Sequence, residues 1–229
     1  ALPACSAADP CPEAGVFVDG AFQTVSLAVP SAVPACQPSV LTRPFFADGP
    51  PRTWQDRAGV MRYSCVARPV TATSARALLI YFHGTGGSAD NVYDFTQLRA
   101  RAETWNLADD VLTPGFVIAT VQARNLHWPI TNADGARHPD GAHHDYYHRS
   151  FAAPSTNPDI AHVDALIDEL VSDGVADPAR IYVMGWSNGA AFAEMYAIGR
   201  FTRATPNGNR VAAAAVFAFA DPFADLRFG

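Results

Sequence analysis

Residues 180–192 read RIYVMGWSNGAAF: an apolar run stops on Gly185, a serine follows two positions later, and Gly189 opens a stretch of small helix formers. Few local patterns restrict a chain as much. A strand that must become a helix within two or three residues brings backbone against backbone, and glycines two positions either side of the turn remove the side chains that would collide. The residue at the apex, Ser187, is forced into a strained conformation that lifts its hydroxyl off the end of the sheet, as a serine nucleophile requires.

The rest of the chain repeats the same units. ALLIYFHG (77–84) and GFVIATVQA (115–123) are nearly continuous apolar runs, as expected of strands buried on both faces, while 22–29 and 60–68 alternate like strands joined by a long Pro-rich connection. A helix is expected over 90–107, with Phe95, Leu98 and Trp105 on its buried face. Another is expected over 157–174, where Asn157 caps, Pro158 takes the first position, Gly174 follows the end, and Ile160, Val163, Ile167, Leu170 and Val171 share one face. The run 211–219 reads as a further buried strand.

Strands alternating with helices predict an α/β fold, a mostly parallel sheet with helices on both faces. The expectation is a single domain over 1–229, in which 1–60 is a disulfide-tied N-terminal extension with the first strand, and 61–229 is the core, incomplete at its C-terminal end.

Composition removes several functions. The net charge is −6 and no basic cluster occurs, so a phosphate backbone finds no electrostatic footprint and nucleic acid is not an expected partner. All 16 positive residues are arginines, so a phosphate-loop lysine, a Schiff-base lysine and a Ser-Lys dyad are impossible. The longest apolar run, VAAAAVFAFA at 211–220, falls short of the roughly 18 residues of a membrane span, so no membrane partner is expected either.

Cys5, Cys11, Cys36 and Cys65 lie in irregular Pro- and Ala-rich sequence rather than at paired metal-ligand spacing. Two disulfides fit them better than free buried thiols. Four cysteines allow three pairings, of which chain order favours Cys5–Cys11 with Cys36–Cys65. Disulfides persist in oxidising compartments, so a secreted or periplasmic protein is expected, with ALPACS as a mature start.

Ahead of the elbow, the strand at 77–84 runs into HGTGGS (83–88), a glycine-rich loop able to turn backbone N–H groups toward Ser187. The loop, the segment DPARIYVMGWSNGA and the spacing between them resemble the α/β-hydrolase superfamily, and within it the secreted polyhydroxyalkanoate-depolymerase and feruloyl-esterase-like group. The resemblance covers about Met61 to Phe219. Such members typically read Ser-Asn-Gly-Gly at the elbow, where this chain has Ala190 in fourth place.

The resemblance implies that Ser187 attacks an ester or related acyl carbonyl. It implies the backbone N–H of Asn188 as one oxyanion donor and an N–H at Thr85 or Gly86 as the second; each such donor is worth about 2.7–4 kcal/mol at the transition state. His83 reads as a structural support of that loop. No dissociable cofactor is implied.

One element is missing. In this fold the triad runs Ser, then Asp or Glu, then His, yet all seven histidines (His83, His127, His138, His143, His144, His148 and His162) precede Ser187. Asp221, just past the last strand, is a candidate acid. Three explanations stand: a companion C-terminal chain carries the acid and histidine, an upstream histidine serves as base, or the chain is a non-catalytic binding or structural module on a disabled hydrolase scaffold.

The stretch RHPDGAHHDYYHRS (137–150) holds four histidines and two aspartates. Surface loops gather such residues without ligating anything, and no second ligand cluster occurs, so no metal is expected. With Trp128, Tyr146 and Tyr147, and with Trp186 inside the elbow, contact with a polymeric or aryl ester is the functional alternative to ordinary packing. The expected activity is cleavage of ester or related acyl bonds through an acyl-enzyme on Ser187. The substrate itself is open.

Overall fold

The computed structural model describes residues 15–18, 21–24, 36, 46–48, 50–56, 61–84, 87–90, 96–105, 114–123, 158–201 and 208–218. The first two strands, β1 (Gly15–Val18) and β2 (Ala21–Thr24), form an antiparallel hairpin of their own. β3 (Phe46–Asp48) and β4 (Arg52–Gln55) pair antiparallel with successive stretches of the long β5 (Met61–Pro69). β5 in turn lies antiparallel to β7 (Val117–Val121).

The apolar runs then build the parallel part of the sheet. β6 (Arg76–Phe82) pairs parallel with β7 on one side and with β8 (Ala176–Trp186) on the other, and β8 pairs parallel with β9 (Ala213–Phe217). The seven-stranded sheet is therefore ordered β3-β5-β7-β6-β8-β9, with β4 alongside β5. The chain leaves β6 toward β7 and leaves β8 toward β9, so the connections diverge between β6 and β8. A crevice opens at the carboxyl ends of strands where such a divergence occurs.

Helices cover the sheet because alternate strand residues bury on opposite faces. Leu78, Ile80, Phe82, Val117, Ala119, Val121 and Val183 share one core with α2 (Pro158–Ser172) and α3 (Asn188–Gly199). Leu79, Tyr81 and Ile118 face a second core, with Ala102 of the short α1 (Leu98–Ala102) and the Cys36–Cys65 disulfide. α2 presents Ile160, Val163, Ile167 and Leu170 inward, each worth roughly 1.5–3 kcal/mol on burial. It ends where Gly174 adopts φ 67° and the N–H of Val175 reaches back to Leu170 O at 2.9 Å.

Two expectations are corrected. Trp105 is 54% exposed, lying under the Arg101 guanidinium, and it is Arg99 and Ala102 that α1 buries. Five helical residues present one narrow inward face, and Trp105 lies beyond the last of them. The strand at 213–217 is not buried: all five of its residues are exposed, because β9 is the last strand in the sheet order. Of the disulfides, Cys36–Cys65 is formed as chain order suggests, while Cys5 and Cys11 lie outside the described residues.

Candidate active site

Ser187 stands at the junction of β8 and α3 with φ 55° and ψ −125°, a left-handed backbone that costs a non-glycine residue about 1–3 kcal/mol. The two flanking glycines explain how it is reached. A Cβ on Gly185 would lie 2.1 Å from the Gly189 carbonyl oxygen, and one on Gly189 would lie 2.2 Å from the Phe82 carbonyl oxygen and 2.3 Å from that of His83. No side chain fits at either place, so helix, strand and neighbouring strand meet backbone to backbone.

The elbow is braced around its circumference. The Ser187 N–H donates to Phe217 O at 2.9 Å, and the Ser187 carbonyl accepts from Ala190 N–H at 2.9 Å as α3 begins. Beneath it, the Phe82 and Phe192 rings meet edge to face at 4.9 Å, and Phe192 stacks with Tyr196. The Tyr196 hydroxyl donates to Asp164 of α2 at 2.7 Å, and Arg200 and Arg210 close on the same carboxylate. Burial, reinforced by the Asp164 charge, pushes the Tyr196 phenol well above its usual range and keeps it neutral.

Asn188 is the first residue of α3, where helix N–H groups and the helix dipole concentrate partial positive charge. The turn after β6 comes close to Ser187: the Cβ position of Gly84 is 3.5 Å from Ser187 Cβ and 3.4 Å from Trp186 O. Trp186 is 43% exposed, and Phe217, its register partner on β9, is 67% exposed. Thr85, Gly86, Trp128, Tyr146, Tyr147, Asp221 and the 137–150 loop lie outside the described residues. Among the described residues no three metal-ligating side chains cluster.

Two upstream histidines can be placed, and both have other tasks. His83 is buried; its Nε2 accepts from Ala123 N–H at 3.1 Å and its Nδ1 donates to Gly84 O at 2.7 Å, so both contacts call for the same neutral tautomer. His162 lies on α2, hydrogen-bonded through Nε2 to Ser64 Oγ at 3.0 Å and stacked on Trp54. Burial, reinforced by the Arg62 charge, holds its imidazole well below the usual histidine range.

Sequence reasoning missed Gln122. It follows β7 directly and bonds to the glycine loop through its side chain. The signal was a polar residue at the carboxyl end of a buried parallel strand, where functional groups collect.

No family model and no curated protein matches the chain. Solved structures do. An acetyl xylan esterase from Aspergillus awamori is 14% identical with a TM-score of 0.51, covering 77% of this chain and 54% of its own. An α/β-hydrolase from the metagenome of Lake Arreo, Spain, is 18% identical with a TM-score of 0.46, covering 79% and 45%. A pair of fungal esterases from Rhizomucor miehei is represented at 16% identity and a TM-score of 0.46, covering 77% and 46%. The chain thus spans about half the length of the proteins it matches. Strand order, the serine elbow and the first of these superpositions agree: this chain has the α/β-hydrolase fold.

Proposed function

We propose that the chain supplies the nucleophile of a secreted or periplasmic serine hydrolase that cleaves ester bonds. The carrying observation is the backbone of Ser187, held at φ 55° between two glycines with no room for a Cβ. A fold keeps such strain where function needs it. Ser187 Oγ attacks the ester carbonyl, its proton passes to a base and then to the departing alcohol, and water resolves the acyl-enzyme. Asn188 N–H and an N–H at Thr85 or Gly86 bind the oxyanion. The Cys36–Cys65 disulfide supports an oxidising compartment.

The base comes from outside the described residues. His83 and His162 are committed elsewhere, and the other five histidines lie outside the described residues; the source proposed for the acid and histidine is a companion C-terminal segment, with Asp221 as the alternative acid. Its seat is β9, an all-apolar edge strand (Ala213–Phe217) that no described strand pairs on its outer side. A parallel strand added there completes the sheet and reaches the serine end of the crevice. Trp186 and Phe217 then border the acyl group, fitting aryl or polymeric esters such as feruloyl or polyester groups.

The test is fluorophosphonate labelling followed by intact mass, on the chain alone and in the presence of the proposed companion segment, with Ser187→Ala as control. Labelling that the alanine variant loses supports the reading. Folded, unlabelled protein in both forms overturns it, leaving a binding module on a hydrolase scaffold.

A further inference from the structure

The glycine loop after β6 is fastened at two points to the end of β7, and both fastenings pass through side chains that touch no reacting atom. We infer that Gln122 and His83 are positioning residues that together set the oxyanion loop against Ser187. This rests on the hydrolase reading for its catalytic consequence and on geometry alone for the loop itself.

Gln122 is buried and held from behind by its backbone. Its N–H donates to Tyr63 O at 3.0 Å, and its carbonyl accepts from Arg62 Nη2 at 3.2 Å. Arg62 is itself buried in an ion pair with Asp159 of α2 and lies 4.0 Å from Asp56. The side-chain amide therefore starts from a fixed base. Its Oε1 accepts from Ala89 N–H at 3.0 Å, which sets the amide's orientation and leaves Nε2 at 3.3 Å from His83 Nε2 and 3.4 Å from Ala123 O.

His83 fastens the other end. With Ala123 N–H on Nε2, the ring proton must sit on Nδ1, where it donates to Gly84 O. The same carbonyl accepts from Gly87 N–H at 3.0 Å, closing the turn. Positions 84 and 89 are thus tied to residues 122 and 123, and the two residues proposed to carry the second oxyanion donor lie between the ties. Gly84 also abuts the nucleophile, so a displaced loop moves relative to Ser187. A misplacement of about 1 Å in such a site costs on the order of 100-fold in rate.

The experiment compares wild type, Gln122→Leu, Gln122→Glu and His83→Phe in the full-length protein. Amide hydrogen exchange at Gly87 and Ala89 is read against the core amides of Ile80 and Val183. Gln122→Leu removes the acceptor and is expected to speed exchange at Ala89 at least tenfold with the core unchanged; Gln122→Glu restores an acceptor and most of the protection. Hydrolysis of a p-nitrophenyl ester is expected to lose about 10- to 100-fold in kcat with KM within twofold for Gln122→Leu, and to recover in part for Gln122→Glu. Unchanged exchange at Ala89 overturns the inference, as does loss of activity that tracks only the unfolded fraction. A wild type that neither labels nor hydrolyses removes the hydrolase reading, and the exchange data still decide whether Gln122 holds the loop.

Discussion

The N–H of Ser187 donates to the carbonyl of Phe217 at 2.9 Å, so the serine turn is tied to the outermost described strand of the sheet. The bond joins the most strained described serine to an edge with nothing described on its far side. Disturbance of β9 is therefore transmitted to the elbow.

That edge has a physical consequence. Apolar edge strands pair with copies of themselves when left open. The chain by itself is expected to self-associate at micromolar concentration, and Val216→Lys, which places a charge on the exposed strand, is expected to shift light scattering toward monomer. Equal association of both proteins would argue against β9 as the contact.

The elbow glycines allow a sharper test. Gly189→Ala places a methyl group on two carbonyl oxygens of the neighbouring backbone, which cannot move aside like a flexible side chain. Its expected cost is about 3 kcal/mol or more in urea unfolding, the upper end of overpacking penalties. Gly174→Ala meets no atom within 4 Å but must hold φ 67°, so a smaller loss is expected there.

Ser187→Gly separates strain from chemistry. Glycine accepts the left-handed backbone, relieving about 1–3 kcal/mol, against roughly 0.5–1 kcal/mol for the extra backbone entropy that glycine loses on folding. A modest rise in Tm with complete loss of fluorophosphonate labelling is expected; Ser187→Ala should lose labelling without the rise.

Removing the disulfide should be costly. The sequence separation of Cys36 and Cys65 is 29, and closing such a loop in the unfolded chain is worth about 3–4 kcal/mol. The double variant Cys36→Ala, Cys65→Ala is expected to lose that much in denaturant unfolding relative to the oxidised wild type.

His162 makes stability depend on pH. Its imidazole is held below the unfolded value of about 6.5, so below that pH the unfolded chain takes up a proton that the folded chain refuses. Stability is full above pH 6.5 and falls as pH drops, by up to about 1.4 kcal/mol per unit, until the depressed folded pKa is reached. His162→Gln is expected to flatten this part of a Tm-against-pH curve while keeping the contact with Ser64.

Much of this was legible before any coordinates. The strands at 76–82 and 117–121, the elbow end of β8, the helix at 158–172 and the glycine-flanked serine all follow from neighbours in sequence, because apolar runs, helix end signals and backbone clashes across a tight turn are local effects; that β8 begins as early as Ala176 does not. The Cys36–Cys65 pair matches the one chain order suggested, although the sequence allowed three pairings and could not choose among them. The tertiary structure alone decided that β9 is the last described strand of the sheet, since the same apolar run suits a central strand and burial depends on strand order. It alone assigned His83 and His162 to structural bonds, because a histidine's role is set by what faces its two nitrogens. Gln122 belongs to the same class: its partner Ala89 is 33 residues away in sequence and 3.0 Å away in space, and only the folding of β6 beside β7 brings them together.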